Sequence, residues 1–508
     1  MAEPEHKAPQ QRRGSASASH GDERPESHVL AERREKLERL RGEGIEPYPH
    51  QFEGRTEIAT VRADHEGLDP GQETESSYRV AGRIAARRGH GKSAFIDLVD
   101  GTGRIQLHSR ADVVGERSHE LLTGLDLGDF VGVTGTVFAT RRGELSLRVT
   151  AWELLAKSLR PPPDKFHGLE DTELRYRHRE LDLIANPEAR ETFRKRGATI
   201  TAVREYLDSE GFVEVETPVL QPLYGGALAR PFTTHHNALD RDLYLRIATE
   251  LYLKRCIVGG IERVYELGKD FRNEGISFKH NPEFTMLEWY EAYADYNDAA
   301  VRLETLVSRA AERVNGTTMV ERDGVEIDLT PPWERMTLRD AIRDRTGIDI
   351  LEHPTREALA AAMDSEPSPD EGWGKLVDGL FSKEVEPTLI QPTFVMDYPV
   401  EMSPFAKRHR DDERLVERWE PIVAGFEIGN AFTELNDPDE QRRRFLQQAE
   451  ELRRGDEEAQ PFDENFLEAL EYGMPPTAGV GLGIDRLVML LTGASSLREV
   501  VLFPAMRS

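Results

Sequence analysis

The sequence holds one cysteine, Cys256, in the stretch LYLKRCIVGG. One thiol cannot make an internal disulfide, and its apolar-periodic setting reads as a structural thiol rather than a nucleophile. The lack of cross-links fits a reducing, cytoplasmic setting. No run of 18 apolar residues occurs, so no conventional membrane span is expected. The opening stretch MAEPEHKAPQQRRGSASASH has no apolar signal core and does not read as a secretory peptide. Positive charge is in deficit, with 66 Lys and Arg against 93 Asp and Glu, a net charge of −27. That balance argues against indiscriminate nucleic-acid binding.

What is there is enough, at 508 residues, for two or three domains with real cores. Residues 1–27 are rich in Pro, Ser, Ala, Glu and Arg and are expected to be a disordered tail. Residues 28–76 form an N-terminal segment with a helix, HVLAERREKLERLRG. Val29, Arg33, Lys36/Leu37 and Leu40 share one of its faces, and Gly42 and Gly44 end it. Its basic residues read first as a solvated surface and second as an RNA contact.

From residue 77 to 160 the apolar period is two. YRVAGRIAARR, SAFIDLVD, RIQLHSR, DFVGVTGTVFAT and LSLRVTAWELLAKSL give five strands, with a helical stretch, Ser118–Leu125, before the fourth. This pattern fits a small Greek-key barrel of the oligonucleotide-binding type. Residues 79–165 carry 14 Lys and Arg against 10 Asp and Glu, a local excess of four positive charges. A phosphate backbone would use such an excess.

Residues 161–180, with three consecutive prolines, read as a stiff linker. Residues 181–508 then mix helices and strands. After Asn186-Pro187 a helix places Phe193, Gly197, Ile200, Val203 and Leu207 on one stripe, closed by Gly211. Residues 331–390 read as a helical insertion. The Gly-x-Gly-x-Gly run at 479–483 leads into an apolar helix, but no βαβ repeat surrounds it, which argues against a dinucleotide fold.

The centre of this region is ERVYELGKDFRNEGISFKHNPEFTMLEWY, residues 262–290. Two strands flank a polar, basic loop. Alternation in the second strand sends Glu288 and Tyr290 to one face and Leu287 and Trp289 to the other. Arg272 offers a planar fork for phosphate oxygens, Glu274 an acceptor for an exocyclic amine, and Phe284 a flat face for a base.

Phe271-Arg272-Asn273-Glu274 with His280-Asn281-Pro282-Glu283-Phe284-Thr285 resembles motif 2 of the class II aminoacyl-tRNA synthetases. Gly479-Val-Gly-Leu-Gly-Ile-Asp485-Arg486 resembles motif 3, and Gly211-Phe-Val-Glu-Val-Glu-Thr-Pro218 resembles motif 1. Their order is the family's order, and the resemblance runs from about residue 78 to the end. Within the aspartyl, asparaginyl and lysyl subclass, GGALARPFTTHHNALD and EIGNAFTELND resemble the lysyl members.

The resemblance implies an α+β fold, with a five-stranded OB-fold barrel before a catalytic domain of antiparallel sheet flanked by helices. It implies an ATP-dependent, AMP-forming ligase that makes lysyl-adenylate and pyrophosphate, then transfers lysine to the 3′ end of tRNA(Lys). It implies Mg2+ at Glu420 and Glu427, a homodimer built on the motif 1 segment, and no membrane.

Arg272 and Arg486 are the expected catalytic groups. Glu274, His280, Asn281, Phe284 and Glu427 join them around ATP, with Arg486 as a lid over the base. Gly226, Glu250, Glu288, Tyr290, Asn430, Phe432 and Glu434 would hold lysine together with Arg272. Burying an ammonium demands anionic partners, and Glu288 and Glu434 supply them where an aspartate-specific site would place cations. In the barrel, Phe95, Gln106, Glu144 and Arg88 match anticodon-reading positions. Two residues depart from the lysyl pattern, Thr249 and Leu228. They are expected to change pocket shape or inhibitor sensitivity rather than reaction class. The alternatives are a lysylating enzyme with another acceptor and a catalytically silent RNA-binding relative.

Overall fold

The computed structural model describes residues 26–89, 91–163, 169–366, 372–403, 405–454 and 459–506. The chain divides into two compact units, residues 1–166 and 167–508.

In the first unit five strands close into a barrel. They are β1 (Glu73–Arg88), β2 (Ser93–Val99), β3 (Arg104–Arg110), β4 (Phe130–Ala139) and β5 (Leu145–Ala156), in the order β1-β2-β3-β5-β4. Their period-two pattern is realised as drawn from the sequence. Ile96, Leu98, Ile105, Leu107, Leu147 and Val149 fill the barrel, while Phe95, Asp97, Gln106, His108, Ser146 and Arg148 alternate with them on the outside. The helical stretch before β4 is present as Glu116–Gly124.

The N-terminal segment is part of this unit's core. Leu40, Ile58 and Val61 pack with the barrel residues. The helix runs from Glu26 to Gly42 and so begins inside the stretch expected to be disordered; residues 1–25 of that stretch lie outside the described residues. Two of its basic residues turn to the barrel, while Arg34, Arg39 and Arg41 stay exposed. The Arg33 guanidinium donates to the carbonyls of Ser158 at 3.0 Å, Arg160 at 3.1 Å and Leu127 at 3.1 Å, and Lys36 pairs with Asp126 at 2.5 Å. Arg33 thus caps backbone carbonyls of two barrel loops, and Lys36 pairs with a carboxylate of one of them.

The second unit is built on a nine-stranded sheet. In spatial order the strands are Glu334–Thr337, Thr393–Pro399, Leu415–Val423, Gly429–Thr433, Thr477–Gly483, Glu283–Ala292, Arg263–Phe271 and Val213–Glu214, with Phe426–Glu427 paired to Leu415–Val423. The interior pairings are antiparallel, and a parallel pairing closes each end. Helices Pro187–Ser209, Tyr296–Asn315 and Ile484–Thr492 cover one face. Val203, Leu207, Leu303, Leu306, Leu487 and Val488 meet Leu287, Trp289, Val480 and Leu482 there. With one face fully apolar, every second side chain of the central strands is driven to the opposite face. The expected insertion contains helices Leu338–Thr346, Arg356–Ala362 and Trp373–Glu384 around their own apolar cluster, but it also lends Glu334–Thr337 to the main sheet.

Candidate active site

Three adjacent strands build the floor of the site. Opposite Tyr290 lies Gly479, and opposite Gly479 lies Phe432. One step along, Glu288, Gly481 and Asn430 align in the same way. The glycines of motif 3 are therefore strand residues. A Cβ at Gly479 would collide with the Glu434 carboxylate and the Tyr290 ring, and one at Gly481 would lie 3.0 Å from Asn430 Oδ1. Their absent side chains leave the space between the acidic groups. Gly226 is used differently. Its φ of +88° is a left-handed conformation, and a Cβ there would press on Glu250 Cβ at 2.9 Å. Gly226 N donates to Gln460 Oε1 at 3.1 Å, and Gln460 Nε2 donates to the Ala227 carbonyl at 2.9 Å.

Glu250, Glu288, Tyr290 and Glu434 are all buried, and Glu434 is 0% exposed. Glu288 Oε1 accepts from the Thr249 N–H at 3.1 Å, and its Oε2 accepts from the Tyr290 hydroxyl at 3.3 Å. Burial, followed by the charges of Asp270 and Glu250, pushes Glu288 up to about 8. Burial likewise raises Glu250, Tyr290 and Glu434. Glu434 Oε1 has no hydrogen-bond partner. A buried carboxylate oxygen without a partner is costly to the fold, and a cationic ligand relieves that cost.

The structure adds a residue that sequence reasoning missed. Lys254 lies one turn after Glu250 on the helix Glu250–Val258. Its ammonium pairs with Glu250 at 2.6 Å and with Glu434. The i, i+4 spacing to Glu250 was the only signal in the sequence, and that spacing is common on solvated helices. Behind the pocket, Arg246 joins Glu266 and lies 3.1 Å from Asp270. Burial, against the pull of Arg246 and Arg272, takes Asp270 to about 6. Leu228 is 48% exposed, two residues past Gly226.

Most of the residues expected around a nucleotide lie on the loop between Arg263–Phe271 and Glu283–Ala292 and at the start of the helix Ile484–Thr492. Arg272 N donates to the Pro282 carbonyl at 2.9 Å, which closes the base of the loop. The Arg272 guanidinium lies 5.1 Å over the Phe284 ring and donates to the Ile247 carbonyl at 3.3 Å. Glu274 is exposed on the same loop. His280 bonds to Ser277 at 2.9 Å. Partial desolvation of its ring, then the charges of Arg486 and Lys279, lower its pKa. The Asn281 amide is engaged by main chain at both ends, donating to Glu283 and accepting from Ala505 at 3.2 Å. Asn281 thereby ties this loop to the C-terminal segment. Arg486 opens the helix Ile484–Thr492 and donates to the Glu427 carboxylate at 2.9 Å and carbonyl at 2.8 Å. Its neighbour Asp485 bonds to Thr285 N at 2.9 Å and to Arg196 at 2.6 Å, which fixes the helix start to the second strand of the loop.

Glu420 and Glu427 come together as the hairpin geometry suggested. Ile422 pairs with Glu427 and Val423 with Phe426 across a turn whose Ala424 and Gly425 have φ of 55° and 74°. Glu420 accepts from Tyr398 at 2.9 Å and pairs with Arg418. Burial, opposed by Arg418 and reinforced by Glu427, raises Glu420 to about 7. Among the described residues no group of three or more His, Cys, Asp and Glu could hold a metal by itself. Paired carboxylates are oxygen donors of the type that a hard divalent cation takes.

On the barrel, the residues expected to read the anticodon lie on β1, β2 and β3 and just ahead of β5. Phe95 stacks on His108 with ring centroids 4.4 Å apart, a partner not foreseen. Gln106 accepts from Ser146 at 3.1 Å, and Arg88 donates to Asp97 at 3.1 Å. Glu144 lies just ahead of β5, its N–H donating to Thr140 Oγ1 at 3.0 Å.

Among the described residues no helix is long and apolar enough to cross a membrane. Residues 171–507 match the model of the class II tRNA synthetases (D, K and N), and residues 78–155 match that of the OB-fold nucleic acid binding domain. The lysine–tRNA ligase of Pelotomaculum thermopropionicum is 52% identical over 493 residues, 96% of each chain. Those of Dehalococcoides mccartyi and Moorella thermoacetica are each 53% identical, over 95% of this chain and 98% of theirs. With both domains matched and similarity along nearly the whole length, the chain belongs to the class II tRNA synthetases, in the lysine–tRNA ligase family.

Proposed function

We propose that Glu250, Glu288, Tyr290 and Glu434 hold the substrate lysine and that Arg272 brings its carboxylate to the α-phosphate of ATP. The reaction gives lysyl-adenylate and pyrophosphate, and lysine then passes to the 3′ end of tRNA(Lys). The observation that carries the reading is the buried acidic cluster with its unpartnered Glu434 oxygen. Such a cluster suits an ammonium and leaves a neutral or acidic side chain with unpaired carboxylates.

Adenylate formation is an in-line displacement at phosphorus, so the protein's part is to position groups and neutralise charge. The Arg272 fork can span one oxygen of the lysine carboxylate and one of the α-phosphate. Phe284 offers its ring to adenine, and Glu274 offers an acceptor for the exocyclic amine. Asn281 anchors the loop that carries them. His280 would reach the terminal phosphates, and Arg486, held by Glu427, would be the lid over the base. Glu420 and Glu427 would hold magnesium, which when bound neutralises phosphate charge. Glu250 takes the α-amino group, and Gly226, Asn430 and Phe432 shape the pocket.

In the barrel, Phe95 with its stacked His108 supplies a platform for an unpaired base. Arg88, Gln106 and Glu144 stand beside it to read base edges of the anticodon. The motif 1 segment leaves Val213 exposed in the single chain, and Val219 and Leu220 just after it are exposed too, which supports a homodimer through that edge. A cytoplasmic site of action fits a translation enzyme with one cysteine.

The test is pyrophosphate exchange into ATP with each amino acid in turn, followed by charging of tRNA. Lysine alone should support exchange, and tRNA(Lys) should be charged. Exchange with another amino acid instead of lysine overturns the assignment of the pocket.

A further inference from the structure

Resting on the reading of the acidic pocket as the lysine site, we infer that Lys254 is a specificity-determining positioning residue. Its ammonium bridges Glu250 and Glu434, fixes where each carboxylate points, and leaves the pocket short of two positive charges, which matches a substrate with two ammonium groups. Lys254 is fully buried, 2.6 Å from Glu250 and paired with Glu434. It is held between two rings, 5.3 Å from the centroid of Phe405 and 5.6 Å from that of Phe432. The two carboxylates come from different elements, a helix and the strand-end segment after Gly429–Thr433, and this one ammonium ties them together.

The charges facing the pocket can be counted. Glu250, Glu288 and Glu434 are three acids, and Lys254 is one resident base. Asp270, next to Glu288, and Glu266 share Arg246, which lies 3.1 Å from Asp270, and the Arg272 charge also acts on Asp270, so these two acids are set against two cations. Two acidic charges are left over, and the α-amino and side-chain ammonium groups of free lysine supply two. A monocationic amino acid leaves one buried acid unpaired. Burial works against the Lys254 charge, but Glu250 and Glu434 outweigh it and hold the ammonium protonated. Reciprocally, Lys254 is the main influence that opposes protonation of Glu434 in its buried setting. Of the two Glu434 oxygens, Oε2 meets Lys254 and Oε1 stays unpartnered beside the space above Gly479. Lys254 thus turns one oxygen inward and presents the other to the substrate.

The experiment is lysine-dependent pyrophosphate exchange by the wild type, Lys254→Met and Lys254→Arg, at pH 7 and pH 9. In Lys254→Met the KM for lysine should rise about 50-fold at pH 7, with the KM for ATP within about twofold of wild type. At pH 9 most of that loss should be recovered, because the carboxylates left without their cation ionise only at higher pH. Lys254→Arg should stay within about fivefold of wild type at pH 7. Lysine KM unchanged in Lys254→Met, or a loss equal at both pH values, overturns the inference. If Lys254→Met does not fold, Lys254→Arg decides it. Retained lysine binding supports the role of the charge, and a folded Lys254→Arg that no longer binds lysine overturns it. Wild type without lysine-dependent exchange means that the reading of the pocket itself has failed.

Discussion

On the barrel, Gln106 is bonded to Ser146, Arg88 to Asp97, and Phe95 lies against His108. In the catalytic unit, Glu434 is fully buried and Oε1 has no partner, while burial lifts Glu288 to about 8. The barrel face is largely paired within itself, with His108 Nδ1 and Arg148 Nε left without partners, and its Arg88 is exposed. The pocket is closed and electrostatically unfinished, so it gains most from one ligand of the right charge. A flexible polymer can be read by many modest contacts on a surface. A small amino acid with two ammonium groups has few atoms to be recognised by, and each contact must be desolvated and worth more.

Variants on the two sides should therefore fail differently. The largest effect belongs to Arg272→Ala, which should lower kcat/KM for pyrophosphate exchange by about 1,000-fold or more through loss of the reacting pair's clamp. Glu434→Gln follows, with a fall of roughly 300-fold in kcat/KM for lysine and an ATP KM close to wild type. An equal loss for both substrates would mean that the pocket and nucleotide sides are not separable. On the barrel, Phe95→Ala should lower kcat/KM for tRNA charging by about 30-fold while leaving exchange untouched, in line with one lost stacking contact. A drop in exchange as well would collapse the contrast.

Thr249→Pro is a smaller probe. A proline has no N–H to give Glu288, so lysine KM should rise about fivefold, whereas Thr249→Ala keeps the N–H and should stay nearer wild type. The smallest effect is pH dependence in the wild type. An ammonium binds the ionised acid, and ionisation of Glu288 grows as pH climbs through about 8. Lysine KM should thus fall between pH 6.5 and 8.5, by about threefold in total because the neighbouring acids titrate together. The same raised value makes the ligand-free fold lose stability as pH rises from the ordinary carboxylate range to about 8, because over that range the folded state still holds a proton that the unfolded chain has released. Thermal melts of wild type and Glu288→Gln over that range measure this slope.

Much of this was legible along the chain because strand and helix periods are local. Alternation put Leu287 and Trp289 in the core and Glu288 and Tyr290 opposite, as observed, and five period-two runs became a closed barrel. The hairpin joining Glu420 to Glu427 was readable from a short apolar turn. Motif order located Arg272, Phe284 and Arg486, whose residue types state their chemistry without a partner being known.

What only the tertiary structure decided is which polar groups face each other across long stretches of chain. Arg33 and Lys36 read as solvent-facing cations, yet they cap carbonyls and an aspartate of the barrel. Gly479 read as part of a glycine run before a helix, yet it clears room between Tyr290 and Glu434 because strand pairing places it there. Lys254 looked like one more charge on a helix, and Gln460 carried no signal at all. Local periodicity fixes which side of an element a residue occupies. The identity of its partner depends on sheet order and register, and the electrostatics of a buried site are set by those partners.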